Sequence, residues 1–190
     1  VNSSLSLITQ FTRRIPLPLP FTSKKSSTHI LFYKDSDLLD SYSVEDINAI
    51  LRRTDIEKAH SSVAHYLPRL VSYFLLRHAS SALSPLSPPP QEWILNWSVK
   101  GAPSITTPQS NKSPAFISLS RSSGYGVIAI STQNPIGVDL QTVLPVSTTD
   151  FNYLTQQYLS PPEREQVNSL SNIERPNEFF KLWVQKEAYS

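Results

Sequence analysis

Apolar and polar residues change period several times along this chain, and each change marks an element. Ile30-Leu31-Phe32-Tyr33 is a short β-prone run that predicts a first strand. Ser43-Val44-Glu45-Asp46 predicts a helix start, with Ser43 as N-cap and Asp46 three residues on; Ile47, Ile50 and Leu51 form its apolar stripe. Val63, Leu67, Leu70, Val71, Phe74 and Leu75 then recur at three- and four-residue steps, predicting a longer helix. Pro68 falls inside that pattern, so either a new helix begins there or the helix kinks. Ser84 to Pro90 is a Pro-rich linker that cannot stay helical. Beyond it Trp93, Leu95, Trp97 and Val99 alternate with Ile94, Asn96 and Ser98, a period-two strand whose two tryptophans read as core rather than ligand platform. Phe151, Leu154 and Tyr158 return to a helical period. Ser160-Pro161-Pro162-Glu163 is a capping box with Pro at the first helical position, a complete structural account of Glu163. Asn172 to Asn177 reads as a loop before a last helix.

Two stretches stand out for chemistry. Pro135-Ile136-Gly137-Val138-Asp139-Leu140-Gln141 predicts a short strand that pushes a carboxylate out at Asp139. Phe179 to Ala188 predicts an amphipathic helix with Phe180, Trp183, Val184 and Glu187 on one face. An ionised Glu187 in line with an aromatic stripe is costly unless something cationic meets it. Lys186 sits about 100° further round the helix, where it could flank a shared anionic ligand. Asp139 and Glu187, 48 residues apart, are what a Mg²⁺ site needs, since Mg²⁺ takes one or two carboxylates and completes its shell with water and phosphate oxygens. The competing account makes Asp139 a turn residue and pairs Glu187 with Lys181 or Arg175 on the surface.

Composition narrows the classes. With 190 residues, 39% of them hydrophobic, the chain can form one domain or two small ones around a real core. It contains no cysteine, hence no disulfide framework or thiol chemistry, which is compatible with a cytoplasmic protein. A net charge of +2 is too mild to argue for nucleic acid, and basic patches with interleaved aromatics are absent. No apolar run approaches the roughly 18 residues of a membrane span. The four histidines lack ligand spacing apart from His60 and His65, five apart, so zinc is unsupported. All four glycines, Gly101, Gly124, Gly126 and Gly137, fall between residues 101 and 137. In so glycine-poor a chain they should mark positive φ or close backbone approach, and that segment is the expected wall of a ligand site. Residues 1–28, rich in Ser, Thr and Pro with Arg13, Arg14, Lys24 and Lys25, read as an N-terminal arm open to disorder; a transit-like leader and translated upstream sequence are the other readings. The absence of Met and a last residue inside a helical pattern lead to the expectation of a fragment, cut at both ends.

The two chemical stretches together resemble the signature of the 4′-phosphopantetheinyl transferases, specifically the larger, surfactin-synthetase-activating type that serves peptide and polyketide synthetases. Ile136-Gly137-Val138-Asp139 resembles that family's Gly-hydrophobic-Asp strand, and Trp183-Val184-Gln185-Lys186-Glu187-Ala188 its Trp-x-x-Lys-Glu-Ala helix. Between them, Tyr158 to Glu165 is similar to the family's Phe/Leu-Ser-x-x-Glu segment. Phe116-Ile117-Ser118-Leu119-Ser120-Arg121-Ser122-Ser123-Gly124 resembles its Asn-x-Ser-His-Ser-x-Gly strand and turn, with Arg121 in place of the His; Gly124 to Ser131 would be the return strand of the hairpin. Arg is always charged and donates a bidentate fork, so this exchange could keep phosphate binding while removing its pH dependence. Lys100-Gly101-Ala102-Pro103 lies where the family carries Gly-Lys-Pro, with Ala102 where the Lys would be.

The resemblance implies an α+β fold: a pseudo-two-fold pair of similar subdomains, each a small antiparallel sheet packed with helices. Residues 29–133 would form the coenzyme A-binding half and 134–190 an incomplete metal-binding half, with coenzyme A in the cleft between them. The implied reaction transfers 4′-phosphopantetheine from coenzyme A to a serine of an apo acyl or peptidyl carrier protein and releases 3′,5′-ADP. Asp139, Gln141 and Glu187 are the implied Mg²⁺ ligands, Gln141 standing where the family usually has a Glu. Glu187, directly or through a water, is the implied acceptor of the serine proton, with Lys186 and Asp139 beside it. Lys100, Gly101, Pro103, Ser120, Arg121, Lys186 and one basic residue of the long helix would hold coenzyme A. Arg69 and Arg77 are the candidates for that last role, and both could equally line a solvated helix face. A monomer in the cytoplasm is expected, with a degenerate, non-catalytic paralogue that binds coenzyme A or carrier protein as the alternative.

Overall fold

The structure, a computed structural model, describes residues 28–61, 65–83, 88–99, 101–110, 113–143 and 145–189. The expectations for the arm before residue 28, for Val63, for Lys100 and for residues 84–87 of the Pro-rich linker lie outside these residues. The fold is α+β with antiparallel sheets. Strand β1 (Thr28–Lys34) runs straight into a short helix, α1 (Asp35–Leu39), followed by α2 (Val44–Ile50), α3 (Arg53–His60) and the long α4 (Tyr66–Leu83). A 3₁₀ turn over Pro90–Glu92 leads to a two-stranded ribbon, β2 (Ile94–Trp97) with β3 (Pro103–Thr106). The hairpin β4 (Phe116–Ser122) and β5 (Tyr125–Ser131) completes a second sheet in the order β1-β5-β4. Helices α5 (Thr148–Tyr158), α6 (Pro161–Asn168) and α7 (Arg175–Tyr189) follow. Among the described residues, no helix is long and apolar enough to cross a membrane.

Local chemistry accounts for most of these boundaries. Ser43 accepts from the Asp46 amide at 3.1 Å while Asp46 accepts from the Ser43 amide at 3.0 Å, closing the expected capping box on α2. Of the two readings of Pro68, the new helix is the one found: α4 starts at Tyr66, and Pro68 occupies its first turn, where its missing N–H has no intrahelical partner to lose. The β4–β5 hairpin turns through Ser123 at φ 49° and Gly124 at φ 79°, two consecutive left-handed residues whose twist matches the flanking strands. Helix α7 begins at Arg175, inside the stretch expected to be loop. Pro176 is acceptable in a first turn, and the Arg175 guanidinium donates to the carbonyls of Leu170 and Asn168 at 3.0 and 2.8 Å, tying this start to the end of α6.

Two apolar clusters form. The larger is centred on α4, which buries Leu70, Val71, Tyr73, Phe74, Leu75, Leu76 and Ala79 against Leu31, Ile117, Ile128 and Ile130 of the sheet, Leu95 and Ile105 of the ribbon, and Trp93 at the end of the 3₁₀ turn. The smaller gathers Phe151, Leu159, Val167, Phe179 and Phe180 from α5, α6 and α7. Both sheets belong to residues 28–131. Among the described residues after 131 there is no strand, so the sheet expected for a second, similar half has no counterpart there.

The two tryptophans of the alternating strand part company. Trp93 is fully buried and donates its indole N–H to Ser81 at 2.9 Å, whereas Trp97 is half-buried and Val99 stands in solvent. Arg77 corrects the reading of the long helix. Instead of lining a solvated face it is completely buried, donating to Asp55 from Nε at 3.1 Å and from Nη2 at 2.5 Å, and from Nη1 to the carbonyls of Trp93 and Pro90. Asp55 in turn accepts from the Arg52 amide at 3.0 Å. This pair bolts α3 and the 3₁₀ turn onto α4, and it leaves Arg77 no freedom to bind a ligand.

Candidate functional site

The segment from Pro135 to Gln141 is extended but is not a sheet strand: it makes no backbone ladder with β4. Its amides go instead to serine side chains. Val138, Leu140 and Thr142 donate to the hydroxyls of Ser118, Ser120 and Ser122 at 3.0, 3.1 and 2.9 Å. Alternate residues of a strand share a face and stand roughly perpendicular to the sheet. The segment therefore runs parallel to β4 along the row of serines rather than beside its backbone edge. Ser120 also donates its proton to Asp139 Oδ1 at 2.5 Å. Asp139 is thereby aimed, not left as a turn residue.

Helix α7 meets this segment at Gly137. A Cβ built there would sit 1.5 Å from the carbonyl oxygen of Ala188, so only glycine allows the crossing. The contact brings the segment that carries Asp139 against the turn that carries Glu187. Glu187 itself is exposed, not buried as the aromatic stripe implied, because the last turn of α7 runs past the small core into solvent. Lys181 and Arg175, offered as its surface partners, are engaged elsewhere: Lys181 with Glu178 at 3.3 Å and Arg175 with two carbonyls. Lys186 pairs with Glu163 at 2.9 Å. Glu163 also accepts from the Ser160 amide and hydroxyl, each at 2.7 Å, and these bonds with Lys186 bring its pKa down to about 2.

The candidate cation ligands all offer oxygen: the carboxylates of Asp139 and Glu187, on the two segments that meet at Gly137, and the side-chain carbonyl of Gln141, whose Nε2 leans on the Thr142 carbonyl at 3.4 Å. That hard set suits Mg²⁺. Among the described residues no group of three or more His, Cys, Asp or Glu is gathered for a metal, so a cation here would rely on phosphate and water oxygens for the rest of its shell.

On the other side of Ser120 lies an open cleft of about 440 Å³, lined by Lys58, Arg69, Tyr73, Trp97, Gly101, Leu119, Ser120 and Arg121. Three of these are cations and none is an acid. Lys58 Nζ stands 5.7 Å from the centre of the Trp97 ring, and Tyr73 packs on the same indole with ring centroids 5.2 Å apart. Arg69 donates to Ser61 at 2.7 Å. Arg121 lines the cleft from β4; Arg121, Gly126 and Tyr33 are in register across the sheet, and the Tyr33 ring fills the space a side chain at residue 126 would need. Its Nη1 is buried without a hydrogen-bond partner. Burial raises the Tyr73 pKa, and Arg69 and Arg121 pull it back, a sign that both cations face the phenol. Three cations lining one cleft with no acid among them describe an anion site.

Of the residues singled out in the sequence, Arg69, Gly101, Ser120 and Arg121 are brought together in this cleft, and Asp139 is joined to it through Ser120. Pro103 starts β3 opposite Trp97 without lining the cleft, and Lys186 faces α6 instead. The lining residues all precede residue 122, so the cleft belongs to the first half and meets the second only at its edge. Lys58, Tyr73 and Trp97 were not anticipated. Lys58 is a lone charge on a short helix, and the two aromatic residues sit in apolar patterns that read equally well as core.

The family model for the 4′-phosphopantetheinyl transferase superfamily matches residues 135–190. A candidate 4′-phosphopantetheinyl transferase of Synechocystis sp. is 34% identical over 100 residues, which are 53% of this chain and 39% of that protein. The 4′-phosphopantetheinyl transferase HetI of Nostoc sp. is 32% identical over 78 residues, 41% of this chain and 32% of its own length. The matches thus span 39% and 32% of the length of these two relatives. The family match takes in the segment that carries Asp139, Lys186 and Glu187.

Proposed function

We propose that this chain is part of an enzyme that transfers the 4′-phosphopantetheine arm of coenzyme A to a serine of an apo acyl or peptidyl carrier protein, releasing 3′,5′-ADP. The observation that carries the reading is Ser120, which lines the cationic cleft and holds Asp139 at 2.5 Å. A polyanion in the cleft would therefore end beside the carboxylates.

In this reading Lys58, Arg69 and Arg121 bind the phosphates of coenzyme A, and Tyr73 and Trp97 offer it flat apolar surface. Asp139 and Glu187, with the Gln141 carbonyl, hold Mg²⁺, which when bound would neutralise the pyrophosphate. The carrier serine oxygen forms its bond to the β-phosphorus as the pyrophosphate P–O bond breaks. The electron pair of that bond leaves on 3′,5′-ADP, and the serine proton passes to Glu187, directly or through a water. An exposed Glu187 suits a base that must meet a serine on another protein. Lys186 would exchange Glu163 for the leaving phosphate. We further infer the larger type of the family, with a pseudo-two-fold pair of subdomains in the whole protein.

One pair of observations favours a second reading. Ala102 and Gln141 are exposed, and each removes a charge where the family places one. A paralogue that binds coenzyme A or carrier without turnover would have those losses. Incubation of the full-length protein with coenzyme A, Mg²⁺ and apo-carrier proteins separates the two. The transferase reading expects carriers heavier by one phosphopantetheine and no gain with Asp139→Ala; coenzyme A binding without any gain would favour the paralogue.

A further inference from the structure

We infer that Ser118 and Ser122 are positioning residues for the cation, acting through the backbone of the segment that carries Asp139; this rests on the transferase reading of the site. The argument is one of register. An extended segment beside a strand is normally fixed by a backbone ladder, and a slip of one residue turns every side chain to the other face. Here the ladder is absent. What sets the register is a comb of three hydroxyls, Ser118, Ser120 and Ser122, each accepting from an alternate amide of residues 138, 140 and 142. The offset is 20 residues at every rung, so the three bonds agree on a single alignment.

Ser120 alone would not suffice. Its oxygen accepts from the Leu140 amide and its proton goes to Asp139, and both bonds pivot about one atom. The outer rungs stop that pivot. Ser118 fixes Val138, one residue after the Gly137 crossing with Ala188, and also faces the Val138 carbonyl at 3.5 Å. Ser122 fixes Thr142, one residue after Gln141, with a second contact between the two hydroxyls at 3.0 Å. Asp139 and Gln141 are thus each bracketed by anchored neighbours. Neither Ser118 nor Ser122 lines the cationic cleft, so their effect should fall on the cation and not on the nucleotide.

The test compares Ser118→Ala and Ser122→Ala with Ser118→Thr and Ser122→Thr in the full-length protein. Mg²⁺ is titrated calorimetrically into the coenzyme A-loaded enzyme without carrier, and binding of 3′,5′-ADP in the absence of metal is measured alongside. Each Ala variant should bind Mg²⁺ roughly fivefold more weakly, the scale of one lost hydrogen bond, with 3′,5′-ADP affinity unchanged. The Thr variants, which keep the hydroxyl, should stay near wild type. Unchanged Mg²⁺ affinity in both Ala variants would overturn the inference, as would equal losses in Ala and Thr variants or a parallel loss of 3′,5′-ADP. A wild-type protein that bound neither Mg²⁺ nor coenzyme A would instead overturn the transferase reading.

Discussion

Gly137 lies against the carbonyl oxygen of Ala188 so closely that an added Cβ would come within 1.5 Å of it. The obstacle is backbone within a helix, which cannot step aside as a flexible side chain can. Gly137→Ala should therefore separate the Asp139 segment from α7, or shift the last turn of the helix. Overpacking of this kind costs about 1–3 kcal/mol. We expect a lower melting temperature, together with a loss of Mg²⁺-dependent carrier modification larger than the stability change explains. A variant with wild-type stability and activity would show that the crossing is dispensable.

Arg69 and Arg77, eight residues apart on α4, should behave in opposite ways. Arg77 is buried with Asp55 as its charged partner, and removing one member of such a pair costs about 3–5 kcal/mol. Arg77→Ala should lower the urea midpoint strongly. Arg69 lines the cleft and donates to the Ser61 hydroxyl. Arg69→Ala should leave the urea midpoint nearly unchanged while weakening coenzyme A binding, measured by calorimetry. The assignment fails if the two variants exchange these phenotypes.

These two arginines also show where the sequence stops being readable. Period alone places both on α4, but what separates them is Asp55, 22 residues before Arg77 on another helix, and no local pattern encodes that meeting. A β-prone run marked β1 and alternation marked β2, and the capping boxes at Ser43 and Ser160 were legible because their bonds span three residues. The residues around Asp139 were read as a strand because apolar residues flank a Gly before the carboxylate. Such a run does not report whether the hydrogen-bond partners are backbone groups or, as here, serine hydroxyls. Glu187 was read as lying on a buried face because the helix period is blind to where the core ends. Phe179 and Phe180 fill that core, and Tyr189 is already in solvent. The motif pair placed the candidate carboxylates, yet three of the cleft's walls, Lys58, Tyr73 and Trp97, come together only through tertiary packing.

Arg121 lines a cleft with no acid among its lining residues, its Nη1 is buried without a hydrogen-bond partner, and its charge also acts on the buried Asp35. A hydrogen bond to a charged group is worth about 1.5–3 kcal/mol, so Arg121→Ala should weaken 3′,5′-ADP binding by roughly ten- to a hundredfold. Arg121→His restores a cation only below the imidazole pKa, near 6.5 in an unperturbed side chain. Its binding should fall as pH rises through about 6 to 8, whereas the parent protein should show no such step from this position. Calorimetric titrations across that range would settle the point, and a pH-independent His variant would remove Arg121 from the anion site.

Glu163 links the start of α6 to Lys186 on α7, and its pKa is brought down from 4.5 to about 2, chiefly by the Ser160 amide, with Lys186 and the Ser160 hydroxyl adding to it. A carboxylate whose folded pKa lies below its unfolded value stabilises the fold fully above the unfolded value, here about 4.5. That stabilisation is lost as pH falls toward about 2. Glu163→Gln should therefore flatten the decline of melting temperature between about pH 4.5 and 2, while lowering it at neutral pH, where the ionised cap is lost. The same substitution releases Lys186. If Lys186 turns to the leaving phosphate during transfer, as proposed, the Gln variant should keep its transferase activity despite the weaker helix start. Activity falling to the level of Lys186→Ala would mean that Glu163 is needed to aim the lysine.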